Sequence, residues 1–368
     1  ISVIPSAVAE AAIKSGVARK EIKDFELYKD QLTNRLDPSM SLMQGINAKI
    51  RKNPKRVIFA EGEDETMLKA AIEFGRNKLG IPVLIGVEKR IRDQLKKIGL
   101  DENYKIEIIN STNKEKRKKY VKHLYKKLQR EGQLERDVDR LVRNDRIAWG
   151  SSMIACKDAD AMITGNIRHY AASIEKLKKV VEARPGEEIF GMTMIVSKGK
   201  TILVADTNVK DFPSSERLVS VSKSCVRVAR LFGFDPKVAF LSHSTFGKPI
   251  SKNTKHVRDA IEKLKKEKVD FDFDGEMQPD VALNPIYQDI YPFSKIVGKA
   301  NILIMPALHS AAISTKLMKV FGGGKLIGPL LIGLGLPIEV APLRASTSEI
   351  LNLASIASFS SGVIDYSS

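Results

Sequence analysis

Five short stretches concentrate the side chains able to meet a charged ligand. They are "TGNIRHY" from Thr164, "SHSTFGK" from Ser242, "FDGEMQPD" from Phe273, "MPALHSAA" from Met305 and "PLRASTSE" from Pro342. Each reads as a loop at a strand end. Small residues there let a ligand approach the backbone, and hydroxyls offer neutral hydrogen bonds to phosphate or amide oxygens. A further stretch, "GGGKLIGPLLIGLGLPIEV" from Gly322, adds a glycine triplet and a lysine, the composition of a phosphate cradle. It is not a P-loop, because Leu326 follows Lys325 where that motif needs Ser or Thr. No GxGxxG follows a strand and no GxSxG elbow occurs. The histidines at 123, 169, 243, 256 and 309 lack metal-ligand spacing. Any one of these loops is ordinary turn chemistry; five together point to a cleft.

The elements that must carry these loops alternate. From Lys55 onward, short apolar runs ("RVIFAEG", "IPVLIG", "KIEII", "ADAMITG") alternate with helical stretches, the grammar of a parallel sheet covered by helices. Residues 113–150 read as two amphipathic helices joined at Gly132, their charge run a solvated face. Residues 190–206 read as a hairpin turning at Lys198 and Gly199. A long helix over 213–232, the strand "KVAFLS", a helix near 254–268 and the strand "NILIMPAL" follow. "EARPGE" at 182–187 is the expected domain boundary. The first 36 residues read as helices, the second capped by Asp24 with Leu27 opening it.

The bulk numbers restrict the partners. The chain has 368 residues, 43% hydrophobic and 29% charged, which suits a globular fold of two domains. The net charge is +17, but the lysines are scattered and aromatics make up only 6% of residues, so no base-stacking platform is expected. No segment reaches the ~18 apolar residues that span a bilayer. Cys156 and Cys225 have no paired spacing and suggest a reducing, cytoplasmic setting, and Cys156 reads as a buried thiol. The chain opens on Ile1, which suggests that it starts inside a longer polypeptide.

In order and spacing, "FAEGEDETMLKAA", "DADAMITG", "DPKVAFLSHSTFG", "DFDGEMQPDVALNP", "NILIMPALHSAAI" and "GGGKLIGPLLIGLGLPI" resemble the phosphate acetyl/butyryl transferases. The opening "PSAVAEAAIKSGVARKEI" resembles instead the tail of the catalytic domain in bacterial NADP-dependent malic enzymes, which carry a phosphotransacetylase-like domain at their C-terminus. The resemblance implies two three-layer αβα domains with mainly parallel sheets, in the isocitrate/isopropylmalate dehydrogenase-like class. Residues 1–36 would be a helical connector, 37–185 plus 328–368 domain I, and 186–327 an inserted domain II.

The resemblance also implies a site. The family's Ser-Arg-Gly run and its aspartate base fall on Pro342, Leu343, Arg344 and Glu349 here. A carboxylate survives; the serine and the arginine do not. The family's other phosphate arginines fall near Leu128 and Glu175. Arg344 and Arg168 are candidates for the vacant place. Acyl transfer is therefore expected to be lost, leaving a regulatory and oligomerisation region that binds acetyl-CoA or CoA. Candidate contacts are Ser244, Thr245, Ser310, Lys316, Arg344, Ser346 and Arg168. Active acetyl transfer and a purely structural dimerisation module are the alternatives. No cofactor or metal is expected in this chain. NADP and a divalent metal, Mg or Mn, would serve oxidative decarboxylation of malate in the absent domain. A homodimer is expected, with no nucleic-acid or membrane partner.

Overall fold

The run "VIF" supplies both faces of a buried strand. Val57 and Phe59 enter one core and Ile58 enters another, as the two-residue period of a strand requires. The computed structural model describes residues 3–18, 22, 38–101, 104–110, 113–197, 200–207, 209, 211–249, 254–321 and 325–366. The expected helix start at Asp24 and Leu27, the turn at Lys198 and Gly199, and the triplet at Gly322 lie outside these residues.

Two sheets organise the chain. The first is wholly parallel, in the order β11-β4-β1-β2-β3. Its strands are β1 (Lys55–Phe59), β2 (Gly80–Ile85), β3 (Glu107–Ile109), β4 (Ala161–Gly165) and β11 (Ile338–Ala341). The second runs β10-β5-β6-β9-β7-β8. Its strands are β5 (Phe190–Ser197), β6 (Lys200–Ala205), β7 (Lys237–Leu241), β8 (Asp272–Met277), β9 (Ile302–Ile304) and β10 (Lys325–Ile332). Only β10, β5 and β6 pair antiparallel. "FDGEMQPD", expected as a loop, is mostly edge strand β8. Its alternating polar residues suit a half-exposed edge and hide the strand from a reading based on apolar runs.

Helices cover both faces of each sheet. On one face of the first sheet lie α2 (Pro38–Lys52), α3 (Glu65–Arg76) and α13 (Thr347–Val363). On the other lie α5 (Lys114–Leu128), α6 (Glu135–Asn144), α7 (Arg146–Ala155) and α8 (Tyr170–Val180). The expected pair of helices over 113–150 is broken once more, because Asp145 caps α7 by accepting from Ile147 and Ala148 N–H groups. The second sheet is covered by α9 (Ser215–Leu231) and α10 (Lys255–Glu267) on one face, and by α11 (Pro279–Leu283) and α12 (Leu308–Phe321) on the other. α1 (Val3–Lys14) and α4 (Glu88–Lys97) complete the described α-helices. One continuous core joins α2, α3 and α13 to α9 and α10, so the two lobes share an inner layer, with Phe232 stacked on Phe359 at 6.3 Å.

The chain crosses between sheets twice, and the crossings run side by side. Arg184 N–H donates to the Gly333 carbonyl and Gly335 N–H to the Glu182 carbonyl, each at 2.8 Å. A side chain on Gly333 would place its Cβ 2.1 Å from the Glu188 carbonyl, and its φ of +82° is one that glycine tolerates. This glycine therefore serves the crossing and not a phosphate. The expected boundary at 327/328 falls inside β10, which stays registered to β5 as far as Ile332. The return crossing lies at 333–337.

Candidate functional site

The carboxyl ends of the parallel strands form one edge, where ligands of open α/β sheets bind. In the first lobe this edge is occupied by paired charges. Glu61, just beyond β1, is fully buried and accepts from Thr164 Oγ1 and Gly165 N–H, each at 3.0 Å. Burial pushes its carboxyl up to about 7, against the opposing pull of Arg168, Thr164, Arg146 and Gly165. Arg168 is thus already engaged, with Nη2 3.7 Å from Glu61 Oε1. Glu63 takes Arg146 at 2.7 Å and Arg90 at 3.2 Å. Burial would raise its carboxyl, but Val87 N–H and these two arginines outweigh it and hold it below the usual range.

The β11–α13 loop carries Pro342, Leu343, Arg344 and Ser346. It docks on the β4 loop, with Arg344 N–H donating to the Asn166 carbonyl at 3.0 Å. Ser346 caps α13, and Glu349 closes the reciprocal capping box. The Glu349 carboxylate accepts from Ser346 N–H at 2.8 Å, from Ser346 Oγ at 2.9 Å and from Lys319 Nζ of α12 at 2.9 Å. Burial alone would raise this carboxyl; the Ser346 and Lys319 contacts win and hold it below its ordinary value. Glu349 is therefore a helix cap and a tie between lobes, and Ser346 is committed to it. Leu343 is exposed and apolar. Leu128 lies in the core beneath α5, and Glu175 sits on α8.

In the second lobe a cavity of 590 Å³ opens at the carboxyl ends of β7 and β9. Phe212, His243, His256, His309 and Ser310 help to line it. Ser310 is the one predicted residue it includes. Ser244 is fully buried, and its Oγ donates to Glu276 Oε1 at 2.8 Å, beside Arg258 Nη1 at 3.0 Å. Its hydroxyl is buried and engaged by Glu276. Thr245 Oγ1 accepts from Gln278 N–H at 3.2 Å, and Gln278 Nε2 donates to the His243 carbonyl. The "DGEMQ" block thus staples the "SHST" loop in place.

Lys316 and Arg344 are exposed and form no ion pair among the described residues. They remain the free cations among the predicted contacts. Sequence reasoning did not single out Lys319, Glu61, His243, His256 or His309 as ligand or site residues. Two of these histidines lie in "SHST" and "ALHS", loops of the expected site, and their signal is that of pocket walls and not of metal-ligand spacing. Cys156 is only half-buried; burial pushes its thiol up, against Lys119, so it is no ready nucleophile. Among the described residues no group of three or more His, Cys, Asp or Glu is arranged to hold a metal, and no helix is long and apolar enough to cross a membrane.

Known proteins share this layout. The phosphate acetyl/butaryl transferase family model matches residues 41–358. The NADP-dependent malic enzyme of Rhizobium meliloti is 42% identical, over 98% of this chain and 48% of its own length. The phosphate acetyltransferase of Clostridium acetobutylicum is 28% identical, over 86% of this chain and 97% of its own. A phosphotransacetylase structure from Streptococcus pyogenes superposes with a TM-score of 0.80 at 27% identity, covering 87% of this chain and 98% of that one. The chain spans about half the length of the malic enzymes it matches. On the family match, and on two αβα lobes that superpose on a solved phosphotransacetylase, the chain belongs to the phosphate acetyl/butaryl transferase family.

Proposed function

We propose that this chain is the C-terminal regulatory and oligomerisation region of an NADP-dependent malic enzyme, that it binds acetyl-CoA as an inhibitor of malate decarboxylation, and that it has lost acyl transfer. The observation that carries the reading is the state of Glu349. A base that takes the proton of a thiol with pKa near ~8.5 works best with a raised, uncommitted carboxylate. Glu349 is held low and accepts three hydrogen bonds. The side chains of Pro342 and Leu343 beside it offer no donor to an acyl phosphate. Arg344 and Lys316 still offer charge to the phosphates of a bound CoA ester. Inhibition then follows if acetyl-CoA favours one arrangement of the whole protein over another.

Titration calorimetry tests this. Acetyl-CoA is expected to bind saturably, and Arg344→Ala to weaken it about tenfold, the loss of one charge-assisted contact. No acetyl-CoA should form from acetyl phosphate and CoA. Sustained turnover would make the chain a working acetyltransferase instead.

A self-association role is favoured by α12. Ile313, Leu317, Val320 and Phe321 are 58%, 51%, 75% and 82% exposed along one helical stripe. Leu317→Asp with Phe321→Asp is expected to convert a dimer to a monomer in light scattering. An unchanged mass would remove α12 from the interface.

A further inference from the structure

A second large cavity lies at the opposite edge from the cleft. It is a groove of 640 Å³ at the amino ends of β6 and β9, where α2 and the end of α13 meet the second lobe. This volume suits a small organic ligand. Its apolar wall includes Ile46, Ile202, Phe232, Phe234 and Phe359. Three lysines border it: Lys49 on α2, Lys200 opening β6, and Lys299 before β9. Among the described residues no aspartate or glutamate lines it.

What sets these lysines apart on a basic surface is that all three border one apolar groove. Some lysines elsewhere are paired, as Lys119 is with Asp158 and Lys319 with Glu349, while others, such as Lys316, have no ion pair among the described residues. Lys49, Lys200 and Lys299 form no ion pair among the described residues. Lys49 Nζ instead sits 5.3 Å from the centre of the Phe359 ring. Asp235, next to Phe234, is held by Lys237 at 3.2 Å. Three unneutralised cations around an aromatic floor attract an anion, and the floor selects one with an apolar body.

We propose that this groove is a second effector site, for a small amphipathic anion: an aryl or acyl body carrying a phosphate or sulfonate head. It is distinct from the cleft and does not depend on the reading given to the cleft. Its walls come from both lobes: the first through Phe359 and α2, which leads back toward the N-terminus, and the second through β6 and residues 298–301. A ligand seated there ties α2 to the second lobe.

The probe is 8-anilinonaphthalene-1-sulfonate, followed by its fluorescence on the whole chain. Saturable binding is expected, weakened several-fold by salt and displaced by inorganic pyrophosphate. Reversing Lys49, Lys200 and Lys299 together to Glu should weaken it at least tenfold. Replacing the same three by Gln, which adds no repulsion, should weaken it about three- to fivefold and keeps the test usable if the reversal variant fails to fold. Hydrogen exchange across α2 should slow on saturation. Leu317→Asp with Phe321→Asp, on the other apolar surface, should leave affinity unchanged. Binding that survives both lysine variants, or that disappears with the α12 change, overturns the proposal. Neither result bears on acetyl-CoA binding, which is read separately through Arg344→Ala.

Discussion

Arg217→Met is expected to destabilise the chain by about 3–5 kcal/mol, read from urea unfolding at pH 7. Arg217 lies in the first turn of α9 and is only 8% exposed. Its Nη2 donates to the Ile189 carbonyl at 2.7 Å and to Asp206 Oδ2 at 3.2 Å, and its Nη1 pairs with Glu188. One planar guanidinium thus fastens a crossing between lobes, the end of β6 and the start of α9. Asp206 is itself buried, and also accepts from Gly191 and Val209 N–H groups at 2.9 and 3.2 Å. Those bonds orient the carboxylate but do not neutralise it. Methionine fills much of the same volume and withdraws the guanidinium charge from Asp206. Arg217→Lys should recover only part of the loss, because an ammonium cannot serve three acceptors in one plane. In the double variant with Asp206→Asn, the combined loss should be smaller than the sum of the single losses. A loss below about 1 kcal/mol in Arg217→Met would show that the network is incidental.

Arg217 also marks where sequence reasoning ran out. In "SERLVSVSK" it reads as one more surface charge on an amphipathic helix, because its acceptors lie 11 to 29 residues earlier in the chain. The strands of the first sheet were legible, since β1, β2 and β4 are apolar runs ending at glycines. The edge strand β8 was not, because only Phe273 and Met277 in it are large and apolar. The site was half legible. That Pro342 and Leu343 bring no side-chain donor to this loop could be read from "PLRASTSE" alone. That Glu349 is spent on a capping box follows from the Ser346 to Glu349 spacing, a pattern visible in sequence. Its tie to Lys319 is a contact across 30 residues that no local pattern carries. Ser244 read as a ligand hydroxyl because its loop is exposed in kind; the buried Glu276 that claims it sits on the strand that was missed.

The second large effect is a fall in stability as pH rises from about 5 to 8, removed in part by Glu339→Gln. Glu339 interrupts the apolar run 326–343 and lies fully inside β11, only 4% exposed. Burial pushes its carboxyl up to about 8, against one opposing hydrogen bond from Leu331 N–H, which Oε2 accepts at 2.8 Å. Glu61, pushed up to about 7, acts in the same direction. In this window the folded chain holds protons on both groups that the unfolded chain has released, so stability must decline with pH. A shift from 4.5 to about 8 corresponds to ~4 kcal/mol lost for Glu339 by the upper end of the range. His123, which burial shifts down, acts in the opposite sense below its ordinary pKa, and is common to wild type and variant. Glutamine keeps a carbonyl oxygen for Leu331 N–H and carries no charge. The two proteins should therefore unfold together near pH 5 and diverge toward pH 8, the variant ending more stable by up to ~4 kcal/mol. Parallel pH profiles, or a wild-type stability that climbs across this range, would mean that Glu339 ionises freely in the fold and that β11 is more open to water than its packing indicates.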